Sequence, residues 1–147
     1  REVPWKALVV VGSMLAIGEA IEYTGTAAFL ARQISILAAQ VAPFWLLTAF
    51  FVLTMALTQP LSNQAAAVVV VPVAIQTAQQ LGLNPRTFCV MIAVGASCSF
   101  ITPLEPACLM VYGPGRYRFA DFMRVGAPLT LLIYGLAIVL VPLFWPL

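Results

Sequence analysis

The chain has no histidine, little charge and only three cysteines. Histidine is absent from all 147 residues, which excludes histidine-liganded zinc sites and Ser-His-Asp catalysis within them. Charged residues make up 8%, and residues 33–85 contain none. Cys89, Cys98 and Cys108 are odd in number and fit neither a disulfide framework nor a metal knuckle. The net charge of +2 is too small to indicate a nucleic-acid partner.

What the chain contains instead is apolar. Hydrophobic residues make up 63%, and the mean hydropathy is +1.02. Soluble domains contain about 25% charged residues, so this composition predicts an all-α integral membrane protein in a lipid bilayer. The sequence starts at Arg1 without methionine, and no signal-peptide pattern precedes the first apolar run. We therefore expect a fragment of a longer protein.

The apolar runs predict a single membrane domain over residues 1–147. Residues 5–22 predict a first span, and residues 121–147 predict a final span with Asp121 as its N-cap. The segment 26–40 is shorter and less apolar than the two predicted spans, and Arg32 lies among its apolar side chains. That pattern predicts an amphipathic helix along the membrane interface.

A polar but uncharged break divides the charge-free block. Residues 58–64 separate two apolar arms, and residues 43–80 together predict a re-entrant helical hairpin. Each arm has about 16 residues and would rise only ~24 Å as a helix, whereas a crossing needs about 20 residues. Two tilted spans joined by a tight loop are the alternative.

The basic residues favour re-entry. They form two groups, Arg1 with Lys6 before the first span, and Arg116, Arg118 and Arg124 in one short loop. The two groups fall on the same side of the membrane only if the hairpin returns to the side from which it entered. The positive-inside rule makes that side cytoplasmic, so the hairpin is expected to enter from the outside.

Residues 86–112 predict a second broken helix. Pro103 and Pro106 cannot both be accommodated in a regular helix, so the hydrogen-bond ladder is expected to break at residues 102–106. A broken helix exposes N–H groups where one half begins and C=O groups where the other half ends. The N–H end favours anions and the C=O end favours cations.

Small polar side chains lie at both breaks. At the hairpin, Ser62, Asn63 and Gln64 offer hydroxyl and amide groups that can coordinate a hard cation or hydrogen-bond a carboxylate or sulfate. One of the first two can also cap the second arm, and capping is compatible with binding. The hydroxyls near the second break are those of Ser97, Ser99 and Thr102.

The two breaks carry motifs of a known family. Residues 62–67 and 71–74 read SNQAAA and VPVA; residues 95–103 and 109–119 read GASCSFITP and LMVYGPGRYRF. The first pair resembles the second Ser-Asn-Thr hairpin motif of the divalent anion/sodium symporter family. The second pair resembles the broken helix and following loop in its bacterial permeases. The similarity covers essentially the whole chain and corresponds to most of the C-terminal inverted repeat.

The resemblance implies a secondary active transporter, not an enzyme, that moves a dicarboxylate, citrate or sulfate by an elevator mechanism. It implies sodium as the coupling ion, no cofactor, a homodimer, a bacterial inner membrane, and an N-terminal half that completes the site. The implied substrate-binding residues are Ser62, Asn63, Gln64, Thr102 and Pro103. The resemblance implies a sodium ion, as the coupling ion, at Ser62, Asn63 and Thr102. From the residues themselves, Ser97 and Glu105 are further coupling-ion candidates.

Two positions depart from the family pattern. Gln64 replaces the usual threonine, and Glu105 stands where glycine and asparagine usually follow the proline. An intramembrane carboxylate is a functional candidate, so we hypothesise that Glu105 contributes to cation or proton coupling. The alternative is that it faces an aqueous cavity or pairs with an arginine such as Arg116 or Arg118.

Other classes of function remain to be compared with anion symport. One is a cation/proton or arsenite antiporter of a related superfamily, in which Glu105 would be more central. Another is a channel or a non-catalytic membrane subunit. A membrane enzyme is disfavoured because the sequence shows no nucleophile–base pair.

Overall fold

A computed structural model describes residues 9, 12–13, 16–17, 19–21, 23–38, 42–104, 108, 111, 115 and 117–147. Much of the predicted first span, residues 5–22, lies outside these residues, and so does Glu105. Within them, the regular secondary structure is helical and contains no β-strand, which confirms the all-α class.

Five continuous helices account for most of the described chain. They are α1 (Thr26–Ala38), α2 (Pro43–Leu57), α3 (Asn63–Gln80), α4 (Pro85–Ala96) and α5 (Phe119–Phe144). Pro43 and Pro85 occupy the first turns of α2 and α4, where the missing N–H would have no helical partner anyway. Gly82, with φ of 67°, turns the chain after α3 in the left-handed conformation that glycine adopts readily.

The last helix, α5, begins earlier than the sequence indicated. The prediction that Asp121 is its N-cap is wrong, because α5 starts at Phe119 and Arg118 takes the N-cap position. A carboxylate oxygen of Asp121 instead accepts the backbone N–H of Arg118 at 2.8 Å. The acid thus stabilises the helix start from inside the first turn, where the helix dipole favours negative charge.

Among the described residues, α5 is the one helix long and apolar enough to cross a bilayer. It has 26 residues, and an 18-residue window within it has a mean hydropathy of 2.3. At 1.5 Å per residue the helix would rise ~39 Å. The helices α2 and α4 are apolar but shorter. Re-entry of α2 and α3 and an interfacial position for α1 stay predictions.

The core places α2 and α3 between α1 and α4. Each of these outer helices packs against both inner ones. Phe50 of α2 and Phe88 of α4 meet edge to face with ring centroids 6.0 Å apart, and both are fully buried. On α3, Ala66, Ala74 and Ala78 are fully buried, and such small side chains let helices approach closely in a membrane.

The final helix closes the bundle through contacts near both ends of α4. The Thr87 hydroxyl, at the start of α4, donates to the carbonyl of Trp145 at 2.7 Å. At the other end, Gly126 of α5 lies directly against the backbone of Phe100. These contacts make α4 and α5 antiparallel neighbours, and they place the segment that follows α4 against α5.

Candidate functional site

The tip between α2 and α3 is a tight turn with two buried anchors. Thr58 ends α2, and its N–H donates to the Thr54 carbonyl at 2.9 Å. The Leu61 N–H donates to the Leu57 carbonyl at 3.0 Å. Thr58 and Leu61 are 5% and 6% exposed. The polar break is therefore a defined turn whose anchors are packed into the core.

Ser62 caps the second arm. Its backbone is extended, with φ of −67° and ψ of 152°, and its hydroxyl oxygen accepts the N–H of Ala65 at 3.2 Å. Asn63 is the first residue of α3, and Gln64 in the same turn is exposed. A hydroxyl that accepts through one lone pair still has its proton to donate. Capping therefore leaves Ser62 able to donate to an anion at the positive end of the α3 dipole.

Five residues separate the end of α4 from the break predicted at residues 102–106. It stops at Ala96, and the Ser97 N–H is shared between the carbonyls of Ala93 and Val94 at 3.2 and 3.1 Å. The Cys98 N–H then bonds the Gly95 carbonyl at 3.1 Å. The bonds to Val94 and Gly95 reach back three residues instead of four, which tightens the last turn and ends the helix. Residues 97–104 are consequently irregular, and the negative end of the α4 dipole faces them.

A side-chain amide joins the two breaks. The Gln59 Nε2 donates to the Met55 carbonyl at 3.2 Å, and its Oε1 accepts from the Thr102 hydroxyl. Gln59 and Thr102 are both half-buried and stand 43 positions apart in the sequence. Sequence reasoning did not single out Gln59. The only signal was its place inside the uncharged break.

The sequence-predicted site residues occupy two linked places. Ser62, Asn63 and Gln64 begin α3, and Thr102 is bonded to Gln59, three residues before Ser62. Since three residues span at most ~11 Å, the bond brings Thr102 close to the start of α3. Pro103, beside Thr102, is buried.

The remaining predicted site residues are Ser97 and Glu105. Ser97 is exposed at the end of α4, and its hydroxyl donates to the Ala93 carbonyl at 3.0 Å. Its oxygen can still coordinate a cation, but its proton is engaged. Glu105 lies outside the described residues.

The geometry is that of a site with two electrostatic poles. The N-terminus of α3 presents N–H groups and the C-terminus of α2 presents carbonyl groups at the tip. The C-terminus of α4 presents carbonyl groups to residues 97–104, which the Thr102–Gln59 bond joins to the tip. No charged side chain lies at residues 58–64 or 97–104. Helix ends and small polar groups therefore supply the field, which suits a site that holds an anion and a cation together.

Comparison with known proteins supports a transporter. The model of the sodium:sulfate symporter transmembrane region matches residues 1–147. An uncharacterized transporter of Synechocystis sp. is 40% identical over 130 residues, covering 88% of this chain and 21% of the relative. An uncharacterized transporter of Escherichia coli is 29% identical over 147 residues, covering 99% and 24%.

A third relative carries a more specific name. Sodium/sulfate cotransporter 2 of Chlamydomonas reinhardtii is 31% identical over 130 residues, covering 87% of this chain and 15% of the relative. The chain thus spans between 15% and 24% of the length of these three proteins.

Proposed function

Because the chain belongs to the sodium:sulfate symporter family, we propose that it is the C-terminal half of a secondary active transporter that moves a small anion with sodium. The observation that carries the proposal is the hydrogen bond between Gln59 and Thr102. It joins the tip of the α2–α3 pair to the irregular segment after α4, which supports a single site formed by both breaks. Sulfate is the proposed cargo, with dicarboxylate and citrate as the compounds to compare.

The anion is proposed to bind at the start of α3. The Ser62 hydroxyl, the amides of Asn63 and Gln64, and the first-turn N–H groups of α3 are all uncharged donors. Such donors bind an oxyanion without a counter-charge, as helix N-termini commonly do. Thr102 and Pro103 are proposed to border the same space from the second break.

Sodium is proposed to bind where the carbonyl ends face the tip. The last turn of α2 ends there, and the last turn of α4 leads into residues 97–104. The oxygens of Ser62, Asn63 and Thr102 are proposed to complete the coordination, with Ser97 and Glu105 as further candidates. Unwound carbonyls and half-helix C-termini coordinate sodium in transporters of this architecture.

The proposal extends to the membrane arrangement. We propose that α2 and α3 form a re-entrant hairpin, that this hairpin and the broken helix move together as an elevator, and that the protein works as a homodimer in a bacterial inner membrane. An N-terminal half supplies the rest of the site, so this chain alone should not transport.

The test is uptake of radiolabelled sulfate by proteoliposomes that contain the complete gene product. We expect saturable uptake driven by an inward sodium gradient and little uptake with potassium. Gln64→Ala should raise the KM for sulfate severalfold, while Gln80→Ala should not. Gln80 is the matched control because it has the same side chain at the opposite end of α3.

Three other results would assign a different function. Unsaturable flux would indicate a channel, and sodium-independent exchange would indicate an antiporter. Sodium-driven uptake of succinate or citrate without sulfate would keep the symporter and change its cargo. Glu105→Gln tests the coupling hypothesis separately, since unchanged sodium and pH dependence of uptake would remove Glu105 from the coupling site.

A further inference from the structure

We propose that Gln59 is a positioning residue for Thr102. Because the Thr102 hydroxyl donates its proton to the Gln59 amide oxygen, Thr102 presents its oxygen lone pairs to the coupling sodium ion. The inference rests on the proposed function and assigns Thr102 one of two possible roles. A threonine hydroxyl can donate its proton to an anion or coordinate a cation through its oxygen. The contacts of Gln59 select the second role.

The orientation of the Gln59 amide follows from its partners. The Met55 carbonyl is only an acceptor, so the atom bonded to it at 3.2 Å must be the amide nitrogen. The amide oxygen therefore points at Thr102. Since that oxygen has no proton, the Thr102 hydroxyl must be the donor.

A second donor at the Met55 carbonyl strengthens this arrangement. The Thr58 hydroxyl also donates to it, at 2.8 Å. Thr58 is 5% exposed, so the end of α2 is anchored in the core at the residue before Gln59. The Gln59 side chain consequently spans from a fixed carbonyl to Thr102.

The chemical consequence concerns the single proton of Thr102. A hydroxyl that donates to Gln59 has nothing left to donate to sulfate or a carboxylate. Its oxygen still offers lone pairs, which are what sodium requires. Without Gln59 the hydroxyl could rotate and direct its proton towards the bound anion or the cation site, and the sodium site would lose a pre-oriented ligand.

Sodium binding by the complete gene product tests the proposal without relying on transport. The measurement is the midpoint of thermal unfolding in detergent as sodium is titrated against potassium at constant ionic strength. Sodium should stabilise the wild type, because a ligand that binds only the folded state raises its stability. Gln59→Met keeps the length of the side chain and removes the amide, and it should raise the half-saturating sodium concentration about tenfold.

Two further variants keep the test independent of any one substitution. Gln59→Asn retains an amide that is one methylene too short to span both partners, and it should shift sodium binding in the same direction. Thr102→Val should weaken sodium binding at least as much, and the double variant Gln59→Met/Thr102→Val should add little to it, since Gln59 acts through Thr102. Gln79→Met, in the last turn of α3, is the control and should leave sodium binding unchanged.

Each outcome is decisive. A lower unfolding midpoint with unchanged half-saturating sodium in Gln59→Met would show a merely structural role and overturn the proposal. Equal stabilisation of the wild type by sodium and potassium would overturn it as well, as would additive effects in the double variant. Sodium binding that weakens as expected, in a protein that transports no anion, would support the role of Gln59 and refute anion symport.

Discussion

The close packing of α5 on the segment after α4 makes Gly126 the most informative position for a stability test. A Cβ at Gly126 would overlap the carbonyl oxygen of Phe100 and lie 2.6 Å from its carbonyl carbon and 3.0 Å from the Ile101 Cα. All three are backbone atoms, so no side-chain rotation can relieve the overlap. Gly126→Ala therefore requires α5 or residues 100–101 to move.

The magnitude follows from two opposing effects. Replacing glycine by alanine inside a helix stabilises it by roughly 0.5–1 kcal/mol. Overpacking a close contact costs about 1–3 kcal/mol, and the upper part of this range applies because the clash is with backbone. We expect Gly126→Ala to lower the free energy of unfolding by about 1–2 kcal/mol.

Gly135 supplies the matched control in the same helix. A Cβ built there meets nothing within 4 Å among the described residues, so Gly135→Ala should instead stabilise by about 0.5–1 kcal/mol. The assay is reversible denaturation of the complete gene product in detergent, with both variants beside the wild type. Equal stability of Gly126→Ala and Gly135→Ala would refute the close packing of α5 on Phe100.

Three further stability predictions use the same assay. Thr130 is 4% exposed, and its buried hydroxyl has no hydrogen-bond partner among the described residues, so Thr130→Val should stabilise by about 1 kcal/mol. In contrast, the fully buried Thr54 hydroxyl donates to the Phe50 carbonyl at 2.7 Å, so Thr54→Val should destabilise by about 1 kcal/mol. Ser62→Ala removes the cap of α3 and should cost about 1 kcal/mol, whereas Ser62→Thr should retain most of the stability.

The measured stabilities of the threonine and Ser62 variants can contradict these predictions. If Thr130→Val destabilised as much as Thr54→Val, the Thr130 hydroxyl would have a partner that the helix contacts do not reveal. Equal losses in Ser62→Ala and Ser62→Thr would mean that capping by the hydroxyl contributes nothing to the start of α3.

The hairpin tip was predictable because its signal is local. Polar residues without charge between two apolar arms indicate a break, and Ser62 followed by an alanine-rich run indicates a helix start. The helix does begin next to Ser62. The second break was predicted too far along the chain, since the proline pair was taken to end α4. In the structure Ser97 and Cys98 end it earlier, through bonds to the carbonyls of the last turn.

The role of Gln59 was not predictable from the sequence. The role of the Gln59 side chain depends on its hydrogen bond with Thr102, which lies 43 positions later. No local sequence pattern relates the two residues. Likewise, no feature near Gly126 indicates that a backbone carbonyl will lie against it, whereas Gly135 in the same helix has open space. Both properties arise only when α4 and α5 pack against their neighbours.

The sequence by itself determined the membrane class, the helical fold and the polar, uncharged character of the two breaks. These follow from composition and from short-range patterns, because a bilayer requires each segment to satisfy its own backbone hydrogen bonds. Only the tertiary structure decided that the two breaks meet, that Gln59 joins them, and that Thr102 donates its proton within the tip. Those facts depend on the packing of distant helices, which brings together groups that the chain keeps far apart.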